Sequence, residues 1–461
     1  MDENKVNKKV RVENKLGIMP IRELVLNMST PLIISMLIQG LYNLVDSFFV
    51  ARIPEIGQSA ITALALSLPL QMLIVAVTVG TGIGINSLLS RKLGEKEYEI
   101  ANFVVGNAFI LWAFTWSLFI FIGVFFIKAY FDFQTSNQLV INLGMSYLSI
   151  IVIGSGTKIF QIFLTRILQG TGMAKLAMIS QGSSAILNII LDPIFIFYFE
   201  LGVKGAAIAT ILAQFLGGIG ALYLNFKYNK EIEVKRKFIK FDFDIIKAIY
   251  AVGIPSIIMQ TVRSFTIFGV NFILYGISEI AVTAYGIFFK IQQLILMPGF
   301  GISSAIIPIV AYNYGAKNPT RIKNSIIISI KFGLSLMFIG AVILEVFPGE
   351  IFGIFKPSPE LLKVGIVCIR IISTSFIFVI VNIIIQSSLQ ALGYGQRAMY
   401  LSLFRTVFIM LPAAFLLAKT TNAINNVWWA FVICEVIAMF VAIMVFLSSY
   451  KKRVVEQDVS E

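Results

Sequence analysis

Apolar stretches of about 20 residues or more recur along almost the whole chain, and no other feature constrains the fold as much. Each is long enough to cross about 30 Å of hydrocarbon as a helix. Twelve are read, at about 24–50, 59–89, 102–127, 138–168, 176–199, 205–226, 248–275, 281–312, 325–348, 361–390, 398–418 and 426–449. Several exceed 25 residues, which predicts tilt or extension into water. With 58% hydrophobic and 13% charged residues, the apolar excess is too large for water-soluble cores. The fold class predicted is an all-α polytopic membrane protein. The sequence has no histidine, which excludes histidine bases, histidine-ligated metals and Ser-His-Asp triads. Cys368 and Cys434 lie in apolar runs and make no disulfide framework. No phosphate-binding loop or soluble catalytic domain is read, so neither an enzyme nor a cofactor is expected.

The net charge of +13 is a topology signal rather than a nucleic-acid footprint, and no nucleic-acid partner is expected. With a cytoplasmic N-terminus, the inner segments hold about 24 lysines and arginines and the outer ones about six. That bias places both termini inside a multi-pass cell-membrane protein. Residues 1–22 are polar and basic and lack the apolar core of a signal peptide. The organisation predicted is an N-terminal tail (1–23), an N-lobe of six spans (24–226), a basic cytoplasmic linker (227–247), a C-lobe of six spans (248–449) and a C-terminal tail (450–461). The lobes look related. At a shift of 221, Gln71 meets Gln292, Gly80 meets Gly301, Gly94 meets Gly315, Gln169 meets Gln390 and Gly172 meets Gly393. One register serving distant segments points to duplication. Six spans per half make the repeats parallel, two pseudo-symmetric six-helix lobes about an axis along the membrane normal, which is a transporter-like plan.

Ionisable residues inside spans cost enough to need a partner or a task. Asp46 shares a helix face with Gln39 and Asn43, flanked by Tyr42. Asp192 follows Asn188 by one turn, and Pro193 leaves the Ile189 carbonyl without its helical donor. Counting from Arg52, Glu200 and Lys204 puts Asp46, Asp192 and Thr210 at one depth, roughly 10 Å below the outer surface. Hard oxygens at one depth suit a proton or Na⁺. Two readings stay open from the residues alone: a shared cation site, or separate carboxylates each satisfied by a neighbouring helix.

In the second half, Arg263, Lys290, Arg370 and Arg405 face only Glu345 and Glu435, and Val270 stands near the place of Asp46. Carboxylate coupling is therefore expected in the first lobe. Lys158, Lys290 and Arg405 are expected to make structural pairs or helix-end contacts. Repeat symmetry, amides and methionines predict a broad cavity between the lobes, lined by Gln39, Tyr42, Asn43 and Met72 and by Met259, Gln260, Gln292 and Met297. Pro31, Pro69, Gly80, Pro255, Pro298, Gly301 and their neighbours are read as close-packing positions or hinges.

The first span PLIISMLIQGLYNLVDSFFV, the glycine-rich end of the second and LNIILDPIFIF in the fifth resemble the multidrug and toxic-compound extrusion (MATE) family, in its DinF-like and MepA-like branch. The resemblance covers essentially the whole chain. It implies a secondary antiporter that exports small amphipathic, often cationic, drugs or toxic compounds in exchange for H⁺ or Na⁺ by alternating access. It also implies membrane lipids around a monomer. The family's first-lobe cation site uses a first-span aspartate, a fifth-span asparagine and aspartate, and a sixth-span threonine, which map onto Asp46, Asn188, Asp192 and Thr210. Asp192 is then the principal carboxylate. Two departures qualify this: the acids some relatives carry in spans seven and ten are missing, and Lys158 and Lys290 are basic. The alternative is a flippase for a lipid-linked envelope precursor, from the wider superfamily.

Overall fold

A computed structural model describes residues 13–54 and 57–455, apart from the side chains of Asn43, Leu44 and Val455. The outer parts of both predicted tails lie outside the described residues. Among those described there is no strand, and twelve helical spans cross the molecule. They are α1 (Ile21–Ala51), α2 (Gly57–Gly94), α3 (Tyr98–Phe125), α4 (Gln138–Ile153 with Ser155–Gly170), α5 (Ala174–Tyr198), α6 (Gly202–Tyr228), α7 (Phe243–Tyr275), α8 (Glu279–Gly315), α9 (Pro319–Val346), α10 (Pro359–Ser373 with Phe376–Ala391), α11 (Gly395–Leu417) and α12 (Ala423–Val454). All-α is the outcome expected where lipid offers the backbone no hydrogen-bond partners.

Two spans that hydropathy reads as continuous are broken. The two parts of α4 meet at 41° and those of α10 at 48°. Gly154 stands at the first break and Ser375 at the second, again 221 residues apart. Ser375 Oγ bonds the Ile372 carbonyl at 2.7 Å, an alternative to the helical pattern. α5 and α11 each contain a widened π turn, at Ile194–Tyr198 and Phe404–Met410. The first follows Pro193, whose ring cannot continue the ladder. The connection between the lobes is shorter than the predicted linker 227–247, since α6 runs to Tyr228 and α7 starts at Phe243. Between them the chain is pinned to α3, where Asn107 Nδ2 donates to the Lys240 carbonyl and its Oδ1 accepts from Asp242 N, both at 3.1 Å.

The duplication is visible in contacts. α1 packs on α8 and α2 on α7, pairs that exchange under the repeat. A Cβ added at Gly80 would stand 2.7 Å from Ile257 N, and one at Gly301 2.8 Å from Ile33 N. Gly94 lies against the backbone of Tyr312 and Ala316, and Gly315 against that of Arg91 and Glu95. These are mirror statements of one contact about a two-fold axis, and glycine permits them because no Cβ intervenes. The equivalent helix ends also close alike. Lys96 and Lys317 take positive φ of 61° and 52°, each in a turn whose next N–H reaches back to the Lys92 or Asn313 carbonyl at 2.9 Å.

This seam is tightest toward the ends that carry the N-terminal segment and the linker. There Ser87 Oγ donates to the Gln390 carbonyl at 3.3 Å, and Gln390 Nε2 to Ser256 Oγ at 2.8 Å. Residues 14–19 strap across both lobes: Asn14 Nδ2 donates to the Thr171 carbonyl of the N-lobe at 3.1 Å, while Asn313 Nδ2 and Arg321 Nη2 donate to the Leu16 carbonyl from the C-lobe at 3.0 and 3.1 Å. Toward the other side the contacts are made by flexible side chains. Met297 lies against Gly40, and Met72 Sδ is 3.7 Å from Ser264 Oγ.

Candidate functional site: a polar cluster in the N-lobe

Small residues bring α5 and α6 together. Ser180 Oγ and Ser184 Oγ donate to the Gly217 and Ala213 carbonyls of α6, both at 2.9 Å. A Cβ at Gly217 would stand 2.7 Å from that of Ser184. α1 is tied to α5 by Ser35 Oγ donating to Gln181 Oε1 at 2.6 Å. Such backbone-to-backbone approach lets short polar side chains on three helices meet.

Asn188, Asp192 and Thr210 come together. Asn188 Nδ2 donates to Asp192 Oδ1 at 3.0 Å and to Thr210 Oγ1 at 3.4 Å. Thr210 spends its own proton on the Ala206 carbonyl at 2.9 Å, leaving its oxygen as an acceptor. Asp192 is completely buried. Its Oδ2, the Oδ1 of Asn188 and the Oδ1 of Asp46 are buried without a hydrogen-bond partner among the described residues. Each such oxygen costs on the order of 1–3 kcal/mol. Three of them beside a threonine hydroxyl form a hard oxygen set that a proton or an alkali cation would satisfy.

A cavity reaches the cluster. Tyr42, Asp46, Gln71, Tyr147, Lys158, Thr210 and Gln214 line it, while Asp192 lies behind them. Asp46 and Thr210 are therefore the members that face open space. Tyr42 was expected in the cleft between the lobes; the structure turns it into this cavity inside the N-lobe, because it lies one turn before Asp46 on the same face of α1.

The other cleft residues divide. Met72 and Met297 lie at the seam between α2 and α7 and between α1 and α8. Met259 Sδ accepts from Gln390 Nε2 at 3.7 Å, toward the closed end. Gln39, Gln260 and Gln292 are half-buried. The Asn43 side chain lies outside the described residues. In the C-lobe, Arg405 pairs with Glu435 at 3.2 Å, and Asn382 Nδ2 donates to Glu435 Oε2 at 2.7 Å. The structural pairing expected for Arg405 is present. Lys158 and Lys290 make no ion pair or hydrogen bond among the described residues, contrary to the expectation for them.

The family model MatE matches residues 31–194 and 255–416, one block in each lobe and well over half the chain. The chain belongs to the MatE family. Its relatives include the multidrug export protein MepA of Staphylococcus aureus (strain bovine RF122 / ET3-1), 24% identical over 436 residues that cover 92% of this chain and 93% of that protein. The MepA of Staphylococcus haemolyticus (strain JCSC1435) is 25% identical over 437 residues, 94% of each chain. Among solved structures, the outward-facing conformation of a multidrug resistance MATE family transporter of the MOP superfamily superposes with a TM-score of 0.90. It is 24% identical, over 96% of this chain and 100% of that one. A MATE crystal structure in the straight conformation gives 0.90 at 23% identity and the same coverage. At these identities the structural likeness shows the twelve-helix fold.

Four polar residues of this MatE N-lobe escaped the sequence reading as site residues: Gln71, Tyr147, Ser155 and Gln214. Gln214 lies one turn beyond Thr210 on α6, a spacing that was there to be used. Gln71 and Tyr147 carry no such signal, since α2 and the bent α4 are brought in only by packing.

Proposed function

We propose that this MatE protein is a secondary antiporter that exports small amphipathic organic compounds from the cell in exchange for H⁺ or Na⁺. The observation that carries the reading is the set of three unpartnered oxygens, on Asp46, Asn188 and Asp192, gathered beside Thr210 and open to a cavity through Asp46. The relatives named as multidrug export proteins support the substrate class.

The mechanism follows from electrostatics. Two carboxylates in one poorly hydrated lobe repel, and that repulsion is weakly screened away from water. A single cation entering through Asp46 relieves it and draws α1 toward α5 and α6. Because α1 also packs on α8, any such movement reaches the seam between the lobes. An ion couples to a substrate only by binding one state of the cleft better than the other. The seam, tight at one end and held by flexible methionines at the other, suits a molecule that opens alternately to the two sides. Pro193 and the widened turn after it give α5 a place to bend.

The test is transport in proteoliposomes with a pH gradient and a sodium gradient imposed separately. Saturable export that runs uphill when at least one inward cation gradient is present supports the proposal. Flux that never saturates and ignores both gradients contradicts it, as does movement of lipid-linked precursors in place of small amphiphiles.

A further inference from the structure

The spans of the C-lobe carry more cations than acids, whereas those of the N-lobe hold Lys158 and Arg166 as well as Asp46 and Asp192. In the C-lobe, Arg263, Lys290, Arg370 and Arg405 stand in the spans against Glu345, which accepts from Ser373 Oγ, and Glu435, which Arg405 already occupies. The guanidinium of Arg263 lies 4.6 Å from the centroid of the Phe300 ring. It makes no ion pair or hydrogen bond among the described residues. Lys290 is exposed and equally unpaired.

Helix geometry says where Lys290 points. Residues 290, 294 and 297 share one face of α8. Leu294 and Met297 on that face reach Gly40 of α1, where an added Cβ would stand 3.6 Å from Leu294 Cδ2. Lys290 is the next position outward, so it faces α1 across the looser half of the seam. It lies eleven residues into α8 from Glu279, about 16 Å along the helix. A lysine this deep cannot reach the outer surface, and an unpaired cation in a span marks a ligand path or site. Asp46 of α1 faces the cavity inside the N-lobe instead, so the charge of Lys290 stands without a paired carboxylate among the described residues.

We infer that the C-lobe wall of the cleft, at Lys290 of α8 and with the unpaired Arg263 on the adjoining α7, accepts a compact anionic group of an amphiphilic substrate, a carboxylate or sulfonate. Transported compounds then include zwitterionic and acidic amphiphiles as well as cations. The inference rests on the proposed export function, since it assigns a substrate class to the same cleft. An aromatic body fits the apolar and methionine-rich surface of Met72, Leu294 and Met297, and the acid group supplies the counter-charge the C-lobe lacks.

Rhodamine 6G, a cationic ester, and rhodamine 19, the same dye with a free carboxylate, separate the two contributions. Binding of each to the full chain in phosphatidylcholine nanodiscs is read by fluorescence polarisation. Lys290→Met is expected to lower the acid-to-ester affinity ratio by about fivefold or more while leaving ester affinity nearly unchanged, and Lys290→Arg to restore it. Arg263→Gln is expected to lower the same ratio. A ratio unmoved by Lys290→Met, or wild-type protein that binds neither dye, overturns the inference. Loss of the acid preference when phosphatidylglycerol is added to the discs assigns the positive wall to a lipid headgroup and overturns it as well. Uphill export of the ester by wild-type protein, measured in parallel, reports on the antiport function independently of that ratio.

Discussion

At the scale of residues, Asp192 is fully buried with one oxygen held by Asn188 and the other unpartnered. Asp192→Asn removes the charge while keeping the shape. A charge-assisted contact is worth about 1.5–3 kcal/mol, so coupling-ion affinity should fall by roughly 10- to 100-fold. Gradient-driven efflux should be lost, and substrate binding by the purified variant should remain measurable. Retained uphill efflux in that variant would remove Asp192 from the site. Thr210→Ala deletes one neutral ligand and should weaken coupling only a few-fold, read as a shift in the ion concentration for half-maximal export. The acids were legible in the sequence because a carboxylate in a span is rare and its depth can be counted from the nearest loop charge. The amides and phenols around them were not, since Gln71 and Tyr147 are ordinary residues whose position depends on how α2 and α4 pack.

Elements carry the gate. Gly94 and Gly315 place two helix ends in backbone contact on opposite sides of the two-fold axis. Gly94→Ala or Gly315→Ala inserts a methyl group where a carbonyl already stands, and overpacking of that kind costs about 1–3 kcal/mol. The expected outcome is a seam loosened at these helix ends. A cysteine replacing Ser87, which is buried and bonded across the seam to Gln390, should react several-fold faster with a small maleimide in the Gly94→Ala background. Equal rates in both backgrounds would show that these glycines do not hold the seam. Hydropathy located every span to within a few residues because apolar length is its own signal. It missed the breaks in α4 and α10, since Gly154 and Ser375 are common in membrane helices and only their shared repeat position sets them apart. The strap at residues 14–19 was also out of reach, because its hydrogen bonds use backbone carbonyls that any sequence offers.

For the whole molecule, the repeat register read from glycines and glutamines is the register of the structure, because the same glycines make the inter-lobe contacts. What the duplication does not preserve is charge. The N-lobe keeps unpaired carboxylates, and the C-lobe has a closed Arg405–Glu435–Asn382 network with extra cations beside it. The proposed ion coupling therefore belongs to one lobe of a two-fold scaffold. The positive-inside count predicts that both termini lie in the cytoplasm. Single cysteines at 235 and 419, in protein lacking Cys368 and Cys434, should differ in reaction with an impermeant reagent added to intact cells: position 419 labels and 235 does not. The reverse pattern would invert the molecule and place the tight end of the seam outside.

The claim on which the rest depends is that Asp46 and Asp192 together convert a cation gradient into export. Uphill export of a fluorescent amphiphile by purified Asp46→Asn/Asp192→Asn protein, compared with wild type in proteoliposomes under the gradient that drives the wild type, tests it most directly. The double variant is expected to bind the amphiphile yet fail to accumulate it against its gradient. Wild-type rates of uphill export by that variant would contradict it.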